Sequence, residues 1–188
     1  MRKIINSTYV SLDGIIGNPQ NWTSAYFQEE AAEFAQEQLF SCDALLMGRR
    51  TFDGFSQAWP AMEEATGEFG VRMNTYPHYV VSDSLNKPGW GDTTVIRRAD
   101  APAKIAELKK QEGRDILQYG FGPVTRTLID NGLLDELRLW IHPVIVGDTD
   151  PEGFLTYKDF SASFELADTR TFKTGVIIAT YRPVAKEK

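Results

Sequence analysis

Residues Asp43–Phe52 read DALLMGRRTF, an apolar run that stops abruptly at a glycine, two arginines and a threonine. Ala44–Met47 have the character of a short buried strand. Thr51 onward reads as a short helix ending before Trp59-Pro60. A solvated turn between the two would explain the change of composition. So would a phosphate site, because a helix start presents unpaired N–H groups and a positive dipole end. In that second reading Gly48 lets the backbone come close to the anion. Thr51 caps the helix and offers its hydroxyl, and Arg49 and Arg50 supply charge and a bidentate donor fork.

The same kind of strand ending recurs along the chain. Ile116–Tyr119 runs into Gly120, Phe121, Gly122 and Pro123, with a helix expected from Pro123 to Asn131 and Gly132 as its cap. Tyr79–Val81 runs into Ser82, Asp83 and Ser84, and Thr93–Ile96 into Arg97-Arg98. In open α/β sheets ligands bind outside the carboxyl ends of the strands. Arg97 and Arg98 are most simply a solvated strand end. They would also suit an extra phosphate, such as the 2′-phosphate that separates NADPH from NADH, with Ser82 and Ser84 as hydroxyl partners. The GFG stretch alone lacks the third glycine of the dinucleotide fingerprint.

Around these junctions the chain reads as strands and helices in alternation with a β-rich finish, and so as one α/β domain over residues 1–188. Lys3–Gly14 (KIINSTYVSLDG) is a first strand entering a loop, and Ser24–Leu39 has helical spacing. Residues 61–77 are polar and glycine-punctuated, a helix or a loop. Ala101–Gly113 is a helix with Pro102 in its first turn. Asp135–Gly147 reads as one long strand, with Pro143 marking a bulge or an edge. Phe164–Pro183 reads as a hairpin turning at Lys173–Gly175.

Composition narrows the function. The net charge of -6 speaks against a general nucleic-acid or anionic-membrane surface. No segment has the ~20 apolar residues needed to span a bilayer, and the start is too short for a signal-peptide core. The expectation is a cytoplasmic protein. Cys42 is the only cysteine, so no intrachain disulfide is possible, and beside an apolar run it reads as an inert buried thiol. His142 reads as structural and His78 as a surface residue. The two histidines and one cysteine give no zinc-binding spacing. Trp22, Phe55 and Trp59 are candidates to line a pocket or, more simply, to fill the core.

Together ALLMGRRTFDGF, HYVVSDSL, VSLDGIIG and LQYGFGPVTRTLIDNGLLDELRLWIHPVIVG resemble the dihydrofolate-reductase-like family that includes the reductase domain of bacterial riboflavin biosynthesis. The resemblance runs from about Lys3 to Arg182. It implies a three-layer α/β fold whose mostly parallel twisted sheet ends in a C-terminal β-hairpin, with NADPH bound across the strand ends. Gly48, Arg49, Arg50 and Thr51 then resemble the segment at the cofactor phosphates. Ser82 and Ser84 fall on the adenosine side, with Arg97 or Arg98 added from charge alone. Gly120, Phe121, Gly122 and Pro123 resemble the turn beside the pyrophosphate and nicotinamide ribose. Asp13–Gly17 resemble the loop over the nicotinamide, and Asp135 and Glu136 a structural block.

One departure bears on chemistry. Dihydrofolate reductases carry a carboxylate on the helix before the MGR strand, and here that position is Ala32, flanked by Glu29, Glu30 and Glu33. Asp13 and Glu30 are the candidate proton donors. The implied activity is NADPH-dependent reduction of a small molecule, of the 5-amino-6-(5-phosphoribosylamino)uracil reductase type or by pterin-like hydride transfer. The alternative is a non-catalytic nucleotide-binding module that kept the fold. The long Asp135–Gly147 strand and the C-terminal hairpin would expose apolar faces, which implies a homodimer.

Overall fold

The computed structural model describes residues 1–148, 150–155 and 160–185. Its strands are β1 (Ile4–Ser11), β2 (Cys42–Gly48), β3 (His78–Val81), β4 (Thr93–Ile96), β5 (Asp115–Tyr119), β6 (Glu136–His142), β7 (Phe164–Thr171) and β8 (Ile177–Pro183). They form one eight-stranded sheet in the order β4-β3-β2-β5-β1-β6-β8-β7. Every pair from β4 to β6 is parallel, and only β8 with its two neighbours is antiparallel. The helices are α1 (Glu29–Phe40), α2 (Arg49–Thr66), α3 (Glu68–Thr75), α4 (Ala101–Lys110) and α5 (Pro123–Asp130).

Alternation along the central strands builds the three layers, because successive side chains point to opposite faces. Ile4, Ala44, Leu46 and Ile116 pack beneath Ile105 and Leu108 of α4 and Leu128 of α5. Their neighbours Ile5, Leu45, Met47 and Leu117 pack on the other face against Leu39 of α1, Phe52 of α2 and Met73 of α3. Most of these side chains are fully buried, each contributing roughly 1.5–3 kcal/mol of apolar transfer. A third cluster, around Trp140, Phe172 and Ile178, joins α1 to β6 and the hairpin.

Several boundaries differ from the sequence reading. The first helix is split: a 3₁₀ turn holds Ser24–Tyr26 and α1 begins only at Glu29. α2 does not stop before Trp59-Pro60 but runs on to Thr66 with Pro60 inside it. Pro60 is exposed, so water can solvate the carbonyl that its missing N–H leaves free, while Trp59 packs on Phe69 at 5.4 Å and anchors the helix. α4 ends at Lys110, short of Gly113. β6 ends at His142, so Pro143 lies just beyond the strand rather than in a bulge. Nor is β6 an edge, since it lies between β1 and β8.

His78 is not at the surface. It is fully buried, stacked on Trp90 at 4.0 Å, and its Nε2 donates to the Met73 carbonyl at 2.9 Å. Burial lowers its pKa against the opposing pull of the Met73 and Trp90 carbonyls and Asp92, which keeps the ring neutral. His142 is buried, with Nδ1 2.8 Å from the Trp140 carbonyl oxygen. The Cys42 thiol is buried too, its pKa pushed up to about 11 by desolvation. No helix among the described residues is long and apolar enough to cross a membrane.

Candidate active site

Parallel pairing brings the strand ends to one edge of the sheet. Gly48 is in register with Val81, Met47 with Tyr119 and Val81 with Ile96. The two glycine junctions therefore stand side by side. A Cβ built on Gly120 would lie 2.8 Å from Thr51 Oγ1, and one on Gly48 would lie 3.3 Å from Val124. Gly120 also needs a positive φ, +79°, to turn the chain out of β5.

Both helices that start here, α2 and α5, lack a side-chain cap and carry no acidic residue in the first turn. Of the other helices, α1 and α3 place glutamates in theirs, while α4 is likewise uncapped and acid-free. Two adjacent helix starts thus offer unsatisfied N–H donors and their positive dipole ends without internal compensation. Nothing lies within 4 Å of a Cβ built on Gly122, the residue before α5. Its φ of 178° is ordinary extended backbone. The protein's own structure does not demand glycine there, and the space in front of it is open.

The charged candidates gather along the same edge with internal partners. Arg49 Nε donates to both Asp53 carboxylate oxygens at 2.6 and 2.7 Å, and its Nη1 lies 3.5 Å from Ser84 Oγ. Arg50 is exposed and pairs with Glu152 at 2.5 Å. Arg97 donates to the Asp83 carbonyl, while Arg98 pairs with the Asp83 carboxylate at 3.6 Å. Ser82 differs from expectation. It is 1% exposed, and its Oγ accepts from the N–H groups of Ser84 and Leu85. Its hydroxyl shapes the turn, whereas Ser84 faces outward. Pro123 donates no hydrogen bond; it presets φ at the first position of α5.

Neither candidate proton donor is free. Asp13 accepts from Ser11 Oγ at 2.6 Å, Gly147 N–H at 2.8 Å and Val146 N–H at 3.1 Å. The Ser11 hydroxyl and then the Gly147 amide stabilise the anion and lower its pKa to about 2, so at neutral pH it has no proton to give. It ties the Asp13–Gly17 loop to residues 146–147. That loop is tied again where Ile16 N–H donates to the Gly153 carbonyl at 2.6 Å. Glu30 accepts from Lys173 N–H at 2.6 Å and so holds the hairpin turn. Ala32 is exposed, as are Glu29 and Glu33.

A family model of the RibD C-terminal domain matches residues 2–178. The chain belongs to this family. It is 30% identical over 182 residues to the uncharacterized protein YyaP of Bacillus subtilis, covering 96% of this chain and 94% of that one. A pyrimidine reductase-like protein from Corynebacterium diphtheriae has the same fold, with a TM-score of 0.65 at 14% identity over 98% of this chain and 93% of that one. So has a diaminohydroxyphosphoribosylaminopyrimidine deaminase/5-amino-6-(5-phosphoribosylamino)uracil reductase from Thermotoga maritima. Its TM-score is 0.67 at 14% identity, and the match covers 97% of this chain but 57% of that longer one.

Within this RibD-type frame the aromatic candidates divide. Phe55 and Trp59 pack against the core, Phe55 edge-on to Tyr119 at 5.3 Å. Trp22 is half-buried, donates to the Gly17 carbonyl at 3.0 Å and meets the His142 ring edge-on at 5.3 Å. Sequence reasoning missed Asp53 and Glu152, which partner the two arginines. It also missed the buried polar side chains Asn6, Gln118 and Thr125 below the Gly120 turn. Their signal was present: Asn6-Ser7-Thr8 interrupts an otherwise apolar strand. A groove of about 400 Å³ lined by Phe34, Gln38, Glu136 and Arg182 lies at the opposite, amino end of β6, away from these junctions.

Proposed function

We propose that the protein is an NADPH-dependent reductase of a small molecule, with the dinucleotide laid across the carboxyl ends of β2, β3 and β5. The observation that carries this reading is the pair of adjacent, uncapped, acid-free helix starts of α2 and α5, with open space in front of Gly122. Such a pair suits a diphosphate. Thr51, the Phe121 N–H and the backbone N–H groups at the start of α5 would hold it. Arg50 would exchange Glu152 for a phosphate oxygen, a charge-assisted bond in either case. Ser84, Arg49, Arg97 and Arg98 would meet the adenosine end and its 2′-phosphate. The cofactor would supply a hydride; the chain's part is to orient it and exclude water. A heterocycle related to 5-amino-6-(5-phosphoribosylamino)uracil is the substrate class that family membership favours, in a cytoplasmic setting.

Calorimetric titration with NADPH and NADH tests this. Arg97→Ala/Arg98→Ala should bind NADPH about tenfold more weakly and leave NADH unchanged, since one charged contact contributes ~1.5–3 kcal/mol. Failure of the unaltered protein to bind either dinucleotide would sink the reading.

A second reading keeps the dinucleotide but not the reaction. It is favoured by the absence of a free carboxylic acid at Asp13, Glu30 and Ala32. NADPH oxidation with a pyrimidine acceptor separates the two, because a binding module shows none.

The reading includes a homodimer. β7 is one of the two edge strands of the sheet, with β4 at the other end, and Leu166 and Ile177 expose 58% and 39% of their surface on the hairpin. Light scattering at micromolar concentration should give twice the mass of the chain, and a monomer would exclude it.

A further inference from the structure

Gly120 follows the last residue of β5, and its carbonyl oxygen is held by side chains. Asn6 Nδ2 lies 2.8 Å from it, Gln118 Nε2 2.7 Å and Thr125 Oγ1 3.1 Å. Three donors surround an oxygen with two lone pairs. The donors are themselves cross-linked. Asn6 Nδ2 and Thr125 Oγ1 also reach Gln118 Oε1, and Thr8 Oγ1 donates to Asn6 Oδ1 at 2.8 Å. Asn6 and Thr125 are fully buried, Gln118 is 1% exposed and Thr8 4%. Burying four polar side chains is costly unless their hydrogen bonds are made, and apolar residues of similar shape would stabilise a sheet–helix junction as well. What apolar residues cannot do is choose the direction of one peptide group.

We infer that Asn6, Gln118 and Thr125, backed by Thr8, are positioning residues that fix the Gly120–Phe121 peptide for the dinucleotide diphosphate. In a trans peptide the C=O and N–H point in opposite directions. Drawing the Gly120 oxygen inward therefore turns the Phe121 N–H away from the network, toward the opening between the starts of α2 and α5. The three side chains touch no ligand; they act through that peptide. The inference rests on the dinucleotide reading above.

The test compares NADPH with 2′,5′-ADP, which shares its 2′-phosphate, adenosine and adenosine-side phosphate but lacks the second phosphate of the diphosphate and the nicotinamide riboside. Gln118→Met/Thr125→Val removes two of the three donors with little change of shape. It should weaken NADPH about tenfold and leave 2′,5′-ADP within about twofold. Thr125→Val alone should weaken NADPH relative to Thr125→Ser, which keeps the hydroxyl, and this comparison decides if the double variant does not fold. Equal losses for both ligands, or unchanged NADPH affinity in a folded variant, would overturn the positioning role. If the unaltered protein binds 2′,5′-ADP but not NADPH, or neither, the dinucleotide reading itself falls, and this inference with it.

Discussion

Gly122→Val is expected to abolish tight NADPH binding while leaving the protein folded. The backbone at Gly122 is extended, a conformation a β-branched residue adopts readily. Apart from its chain neighbours Phe121 and Pro123, no protein atom lies within 4 Å of the added Cβ, so the change in stability should stay within about 1 kcal/mol. The same Cβ would stand where a diphosphate must approach the first N–H groups of α5. Displacing the phosphate forfeits two or more charge-assisted hydrogen bonds, roughly 3–6 kcal/mol, or more than about a hundredfold in affinity. Thermal unfolding and NADPH titration on the same sample give the answer. Unchanged affinity with unchanged stability would mean that the NADPH diphosphate does not use this space. Gly120 differs, since its positive φ and closeness to Thr51 mean the protein itself requires glycine there.

The largest loss of stability is expected from Trp140→Ala. Trp140 is 1% exposed and meets Tyr9 at 5.1 Å, Phe34 at 5.2 Å and Phe172 at 5.9 Å, all edge-to-face. Its Nε1 donates to Ser7 Oγ at 3.0 Å. It thus joins β1, β6, α1 and the hairpin turn in one cluster. Removing the ring should cost about 3–5 kcal/mol, which lowers Tm by roughly 6–20 °C in a chain of this size. Val71→Ala, on the exposed face of α3, is the control and should change stability by less than about 0.5 kcal/mol. A Trp140→Ala protein that melts with the unaltered one would show that the cluster is not part of the cooperative core.

Local sequence was enough to show the strand-to-helix junctions at Gly48 and Gly120–Pro123, though not where β6 stops or where α1 starts. The glycine junctions after Met47 and Tyr119 and the hairpin turn at Lys173–Gly175 were legible because backbone freedom, fixed φ and hydrophobic period act over a few residues. Family motifs supplied the sheet and the candidate edge. The reach of α2 through Pro60 was not legible, because an anchor on Phe69 overrides the local cost of proline. Nor was the burial of His78, whose cavity is closed by Trp90 from the following loop and by Met73 from α3.

The sequence by itself thus determined the strands, most of the helices, their order and the residue types at each strand end, while α3 and the split before α1 were not legible. The tertiary structure alone decided which ends become neighbours. β5 enters the sheet between β2 and β1, setting Gly120 against Thr51 and placing Asn6 beneath a carbonyl 114 positions further along the chain. It also decided which charged groups are already engaged: Asp13 as the tie of its loop, Arg50 by Glu152. Such pairings depend on contacts between segments far apart in the chain, and no local pattern of charge or hydrophobicity encodes them.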